Sequence, residues 1–130
     1  MSFIVKSDPK PLAEGQRAWI PAKRYLSADP KAGDTVYLWH SETAGGTGLV
    51  ARAVIDAVSD EDPVDLALTV IEANPDKRFG VAELKAHRDL DDGSPIGGLA
   101  KKLYRHSHNK IAELTVGEAA LLAGHWATKR

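Results

Sequence analysis

Two short polar clusters and one basic segment carry the side chains of this chain that are able to do chemistry. The first cluster is Lys6, Ser7 and Asp8, and the second is Trp39, His40 and Ser41 in "YLWHSETAGGTGLV". Lys6, Ser7 and Asp8 can hydrogen-bond a base edge or a phosphate, but Asp8 before Pro9 is equally an ordinary turn. His40 and Ser41 carry both donors and acceptors, which suits them either to reading a polar ligand or to a solvated surface turn. Trp19, Tyr25, Tyr37 and Trp39 offer flat apolar faces in a chain with only 6% aromatic residues, so each is a candidate plane for stacking or for the core. The basic segment "KKLYRHSHNK" holds Lys101, Lys102, Arg105 and Lys110 with Tyr104, His106 and His108 between them. Cations interleaved with an aromatic suit a surface that tracks phosphates, because neutralised phosphates release counterions and the ring can stack. A plain solvated surface has the same composition.

Several chemistries are excluded or disfavoured. The chain has no Cys, hence no disulfide, no thiolate zinc site and no cysteine nucleophile, and the expectation is a cytoplasmic protein. There is no Gly-x-Ser-x-Gly elbow and no His-Glu-x-x-His. His106 and His108 would point to one side of a strand, but two ligands without a third make a poor metal site. No cofactor is implied. The amino end lacks a secretory h-region, and no apolar run approaches the length that spans a bilayer.

The net charge of −1 conceals a dipolar distribution: residues 1–54 carry seven Lys/Arg and five Asp/Glu, residues 55–100 four and eleven, residues 101–130 six and two. Such a chain can turn a basic face to an anionic partner while its acidic segment faces water.

The elements that position these residues belong to one domain, residues 1–130, long enough for one core. "FIVK" and "TVYLWH" read as strands, the second entered from the turn "KAGD". If alternation holds, Tyr37, Trp39 and Ser41 face one side and Leu38 and His40 the other. "VDLALTVIEA" alternates, with Val64, Leu66, Leu68 and Val70 on one face. "VAELKAHR" reads as a helix, and a last helix starts where Thr115 and Glu118 have capping-box spacing, with Ala119, Leu122 and Trp126 on its buried face. The stretch before it predicts a turn or short helix followed by a strand through "NKIAE".

"GLVARAVIDAV" decides the fold. As a helix it would make a dinucleotide-binding unit, with Gly46, Gly48 and Ala51 matching G-x-G-x-x-A and Glu72 ending the next strand. Its β-branched residues and its period of two favour a strand instead, in a hairpin whose loop is "SETAGGTG". A P-loop is excluded, since neither Lys-Ser nor Lys-Thr follows the glycines. The hairpin leads to an α+β fold: a curled mixed sheet of about five strands with short flanking helices.

In this order the segments resemble EVE-domain proteins, members of the PUA-like group of pseudo-barrel folds. "FIVKSDP" resembles their opening "WLVKSEP" pattern. "KAGDTVYLWHSETAGGTGLVARAVIDAV" is similar to their Gly-Asp turn, strand ending near His-Ser, glycine loop and following strand. "VAELKAHRDLDD" looks like their helix after the central sheet, and "NKIAELTVGEAALL" is similar to the tail of EVE-like modules attached to restriction systems. The family's "GVRNYQARN"-like segment is replaced here by "RAWIPAKRYLSAD", where Trp19 and Arg24 would stand in.

The resemblance implies a non-catalytic module that binds DNA or RNA and holds a flipped, modified base in an aromatic-lined pocket, in the company of a restriction or nucleic-acid-processing protein. A reader of that kind needs stacking planes, polar groups for the base edge and cations for flanking phosphates. The pocket residues would be Lys6, Ser7, Asp8, Trp19, Trp39, His40 and Ser41. The phosphate contacts would be Lys23, Arg24, Lys101, Lys102, Arg105 and Lys110. Two alternatives stay open. One is a small hydrolase like those of the ASCH group, acting on a modified nucleoside with Lys6 as activated amine and Glu42 or Asp8 as its partner. The other is a protein-interaction domain whose glycine loop binds a partner chain.

Overall fold

A computed structural model describes residues 1–7, 12–24, 28–40, 48–61, 63–73, 94–104 and 110–128. The strands are β1 (Ser2–Ser7), β2 (Arg17–Arg24), β3 (Thr35–His40), β4 (Gly48–Val58), β5 (Val64–Ala73) and β6 (Lys110–Glu113), and the helices are α1 (Pro95–Tyr104) and α2 (Val116–Thr128). The strands close into a barrel in the order β1-β3-β4-β5-β2-β6. β1 runs parallel to β3 and β2 parallel to β6, while every other neighbouring pair is antiparallel.

Alternation along the strands sorts residues into two layers. Phe3, Val5, Ile20, Ala22, Val36, Leu38, Val64, Leu66, Leu68, Val70 and Ile111 fill the barrel. Ile4, Tyr37, Trp39, Leu49 and Ala112 point outward and are covered by Leu99, Ala100, Leu103 and Leu122 from the helices. The inward set of β5 is the one its period-two pattern predicts.

"GLVARAVIDAV" is strand β4, antiparallel to both β3 and β5, so the dinucleotide reading is overturned. Glu72 is not at a ribose site; it lies opposite Arg52 across β4 and β5 and pairs with it at 2.5 Å. The register between β3 and β4 shifts between Leu38 and Trp39, and the extra residue, Val50, lies on β4. β3 therefore keeps its alternation, with Tyr37 and Trp39 outward and Leu38 inward.

The "KAGD" turn enters β3 as expected. Asp34 N donates to Lys31 O and Lys31 N to Asp34 Oδ2, and Gly33 takes a φ of 94°, a region where a Cβ would be strained.

β2 is the strand the sequence reading lacked, which makes six rather than about five. It carries Pro21, normally a mark against a strand. Val70 N donates to Gln16 O, which sets the antiparallel phase so that alternate residues exchange bonds with β5 and Pro21 falls at a position needing no N–H toward it.

α1 begins at Ser94, whose Oγ accepts from Gly97 N, followed by Pro95 at the first helical position. α2 begins with the expected capping box: Thr115 N donates to Glu118 Oε1 at 2.8 Å and Glu118 N to Thr115 Oγ1 at 3.1 Å. Leu122 is buried and Ala119 packs beside it. The expected helix "VAELKAHR" and the side chain of Trp126 lie outside the described residues.

Candidate functional site

Parallel pairing of β1 with β3 brings the two polar clusters of the sequence together. Lys6 lies in register with Trp39, and Ser7 with His40. Residues in register on neighbouring strands share a face of the sheet, so the pairs divide. Ser7 and His40 continue the inward series of Val5 and Leu38 at one end of the barrel, whereas Lys6 and Trp39 face outward with Ile4 and Tyr37. Ser7 is 3% and His40 7% exposed, and Ser7 Oγ has no hydrogen-bond partner among the described residues. A buried hydroxyl in that condition is uncommon enough to require an explanation, and a polar ligand is one. Asp8 and Ser41, which follow these strand ends, lie outside the described residues, as do Tyr25 and Glu42.

Trp39 corrects an expectation. Its side chain is fully buried among Ile4, Leu49, Leu99, Leu103 and Leu122, so it is a packing residue between barrel and helices rather than a plane open to a base. Trp19 also departs from the expected convergence. It lies on β2 opposite Ala67 of β5, 62% exposed on the outer face of the barrel, whereas Ser7 and His40 face inward.

Lys6 Nζ donates to Leu103 O at 2.7 Å. Leu103 is in the last turn of α1, where carbonyls lack helical partners and the dipole favours a cation, so Lys6 ties β1 to the end of that helix. Lys102, expected to contact phosphate, is engaged elsewhere: its Nζ donates to Glu113 O at 2.8 Å and pairs with Glu118, which is 3% exposed. Glu118 thus closes the cap of α2 and binds α1 with one carboxylate. The side chain of Lys101 and all of Arg105 lie outside the described residues.

The remaining cations form a row. Lys110 at the start of β6 is in register with Lys6 of β1 on one side and Lys23 of β2 on the other. All three alternate with inward residues (Val5, Ile111 and Ala22), so they share the outer face. Lys23 and Arg24 are exposed and Lys110 is partly buried. Lys23 and Lys110 make no ion pair among the described residues. Like charges directly opposite on neighbouring strands destabilise a sheet unless an anion lies across them.

A second outward row is Tyr37, Arg52 and Glu72, in register on β3, β4 and β5. The phenol pKa of Tyr37 is raised, chiefly by burial, with Arg52 lowering it and Glu72 raising it. Nothing in the sequence singled out Arg52, because the row exists only once three strands are in register. No group of His, Asp and Glu able to hold a metal occurs among the described residues.

The fold has a solved counterpart. The crystal structure of the DUF55 domain of human thymocyte nuclear protein 1 is similar to this chain with a TM-score of 0.64 and 18% sequence identity, covering 95% of this chain and 97% of that one. At that identity the likeness is one of fold, and it shows that the closed barrel with its flanking helices has a solved counterpart over nearly the whole chain. No family model and no curated protein matches the chain.

Proposed function

We propose that this chain is a non-catalytic nucleic-acid-binding module that receives a modified base, turned out of its stack, at the barrel end where Ser7 and His40 meet. The observation that carries this reading is the buried Ser7 hydroxyl in register with His40 at inward-facing positions, beside a row of outward lysines. A flipped base needs a recess with a few fixed polar groups, and its flanking phosphates need cations within reach. Ser7 and His40 supply the first and Lys23, Arg24 and Lys110 the second.

The hydrolase alternative draws less support, because the Lys6 ammonium is engaged with the carbonyl of Leu103 at the end of α1. The test is a binding screen of the purified protein against short DNA and RNA oligonucleotides carrying different modified bases, with Ser7→Ala and His40→Ala beside the wild type. Selective binding of one modification, weakened in both variants without loss of fold, is the expected result. Uniform binding of all oligonucleotides, unchanged in the variants, counts against a base site here.

A further inference from the structure

The outer face of β2 carries one feature that the base site does not use, the exposed Trp19, and one that it shares, Lys23. Trp19, Pro21 and Lys23 alternate with the inward residues Ala18, Ile20 and Ala22, so Trp19 and Lys23 stand on one face, about 13 Å apart along the strand. Lys23 begins the row that runs through Lys110 to Lys6 across β2, β6 and β1, about 10 Å from first to last. The other flank of β2 has the opposite sign: exposed Asp65 of β5 lies in register with Pro21, between Trp19 and Lys23. Anionic ligand is thus repelled on the β5 side and drawn to the β6 side. Trp19 stays 62% exposed at the far end.

From this arrangement we propose that the outer face of β2 and β6 is a track for single-stranded nucleic acid, with Lys110 and Lys23 on the phosphates and Trp19 stacking on a base several nucleotides from the barrel end. The proposal rests on the nucleic-acid reading above and adds the form of the ligand. A duplex keeps its base faces stacked on one another and has none to offer Trp19, while a single strand offers one at each nucleotide. Cations along the backbone with an aromatic plane are the two elements by which single strands are held without regard to sequence. Lys110 and Lys23 account for the phosphates, and the exposed ring accounts for the preference for an unpaired strand.

The experiment uses the full chain with an unmodified 12-nucleotide oligothymidine, its duplex with oligoadenosine, and an abasic oligonucleotide of the same length, read by fluorescence anisotropy of a labelled oligonucleotide and by intrinsic tryptophan emission. The expected result is that the single strand binds at least 10-fold more tightly than either the duplex or the abasic strand and quenches tryptophan emission. Trp19→Ala then weakens single-strand binding about 10-fold or more and abolishes the quench, since Trp39 and Trp126 remain. Because Trp19 is largely exposed, the variant keeps its fold, which an unchanged thermal transition verifies. Equal affinity for single strand and duplex, or a Trp19→Ala protein that binds and quenches as the wild type does, overturns the proposal and leaves the nucleic-acid reading intact. Failure of the wild type to bind any oligonucleotide, modified bases included, at low salt overturns both.

Discussion

Lys102 and Glu118 join the two helices through one ion pair, and the same carboxylate caps the amino end of α2. The pair is largely buried, so removing one partner leaves a charge without compensation. Glu118→Ala is expected to cost about 3 kcal/mol in urea denaturation, from the lost pair and the lost capping box. Lys102→Met should cost at least as much, because it leaves the more buried Glu118 carboxylate without its cation, with only the capping bond from Thr115 N.

Gly98 is expected to resist substitution for a related reason. A Cβ there would run into the Glu118 carboxylate. Gly98→Ala should destabilise the protein by about 1–3 kcal/mol through overpacking, despite the better helix propensity of alanine. Combining it with Glu118→Ala should cost less than the sum of the two single changes, which a double-mutant cycle measures.

Trp39 fills the layer between barrel and helices, so Trp39→Ala should lower stability by about 3–5 kcal/mol whether or not a ligand is present. Chemical denaturation without nucleic acid checks this. A stable Trp39→Ala protein that had lost only its binding would return Trp39 to the ligand site.

Burial of Tyr37 raises its phenol pKa in the folded state. The neutral form is favoured by folding, so the contribution is fully present below the unfolded value of about 10 and is lost as pH rises through the folded value. Tyr37→Phe keeps the ring and removes the titration. Its melting temperature should therefore fall less steeply than that of the wild type above about pH 10, with the two profiles parallel at neutral pH.

Lys23 and Lys110 are expected to set the salt dependence of oligonucleotide binding. Lys23→Ala and Lys110→Ala should each reduce the slope of log affinity against log salt by about one, with similar loss for every sequence. A slope unchanged in both variants would remove the lysine row from the interface.

The strands read most directly from the chain were those with regular alternation. β5 showed its whole inward face in Val64, Leu66, Leu68 and Val70, and β3 showed that Trp39 and His40 would face opposite sides. The capping box of α2 was legible from Thr115 and Glu118 alone. β2 was not, because its inward residues Ala18, Ile20 and Ala22 are mostly small and Pro21 reads as a strand breaker until the phase of pairing with β5 is known. Ser94 followed by Pro95 is a local signal for the start of α1. The lysine row was hidden for a different reason: Lys6, Lys23 and Lys110 are far apart in sequence and meet only through the register of three strands. Trp39 was ambiguous for the opposite reason, since a buried aromatic and a ligand platform have the same local sequence.

β6 is the keystone of the barrel: it lies between β1, the first strand of the chain, and β2, and pairs with both. While the chain is being synthesised, the first five strands emerge with the facing edges of β1 and β2 unpaired, and closure waits for four residues that start at Lys110. Exposed strand edges are where chains pair wrongly with one another, and contacts between distant parts of a chain form slowly. The cationic residues on those edges, Lys6 and Lys23, repel a second copy during that interval. The same charges that stand in the outer lysine row of the finished barrel thus guard the unfinished sheet.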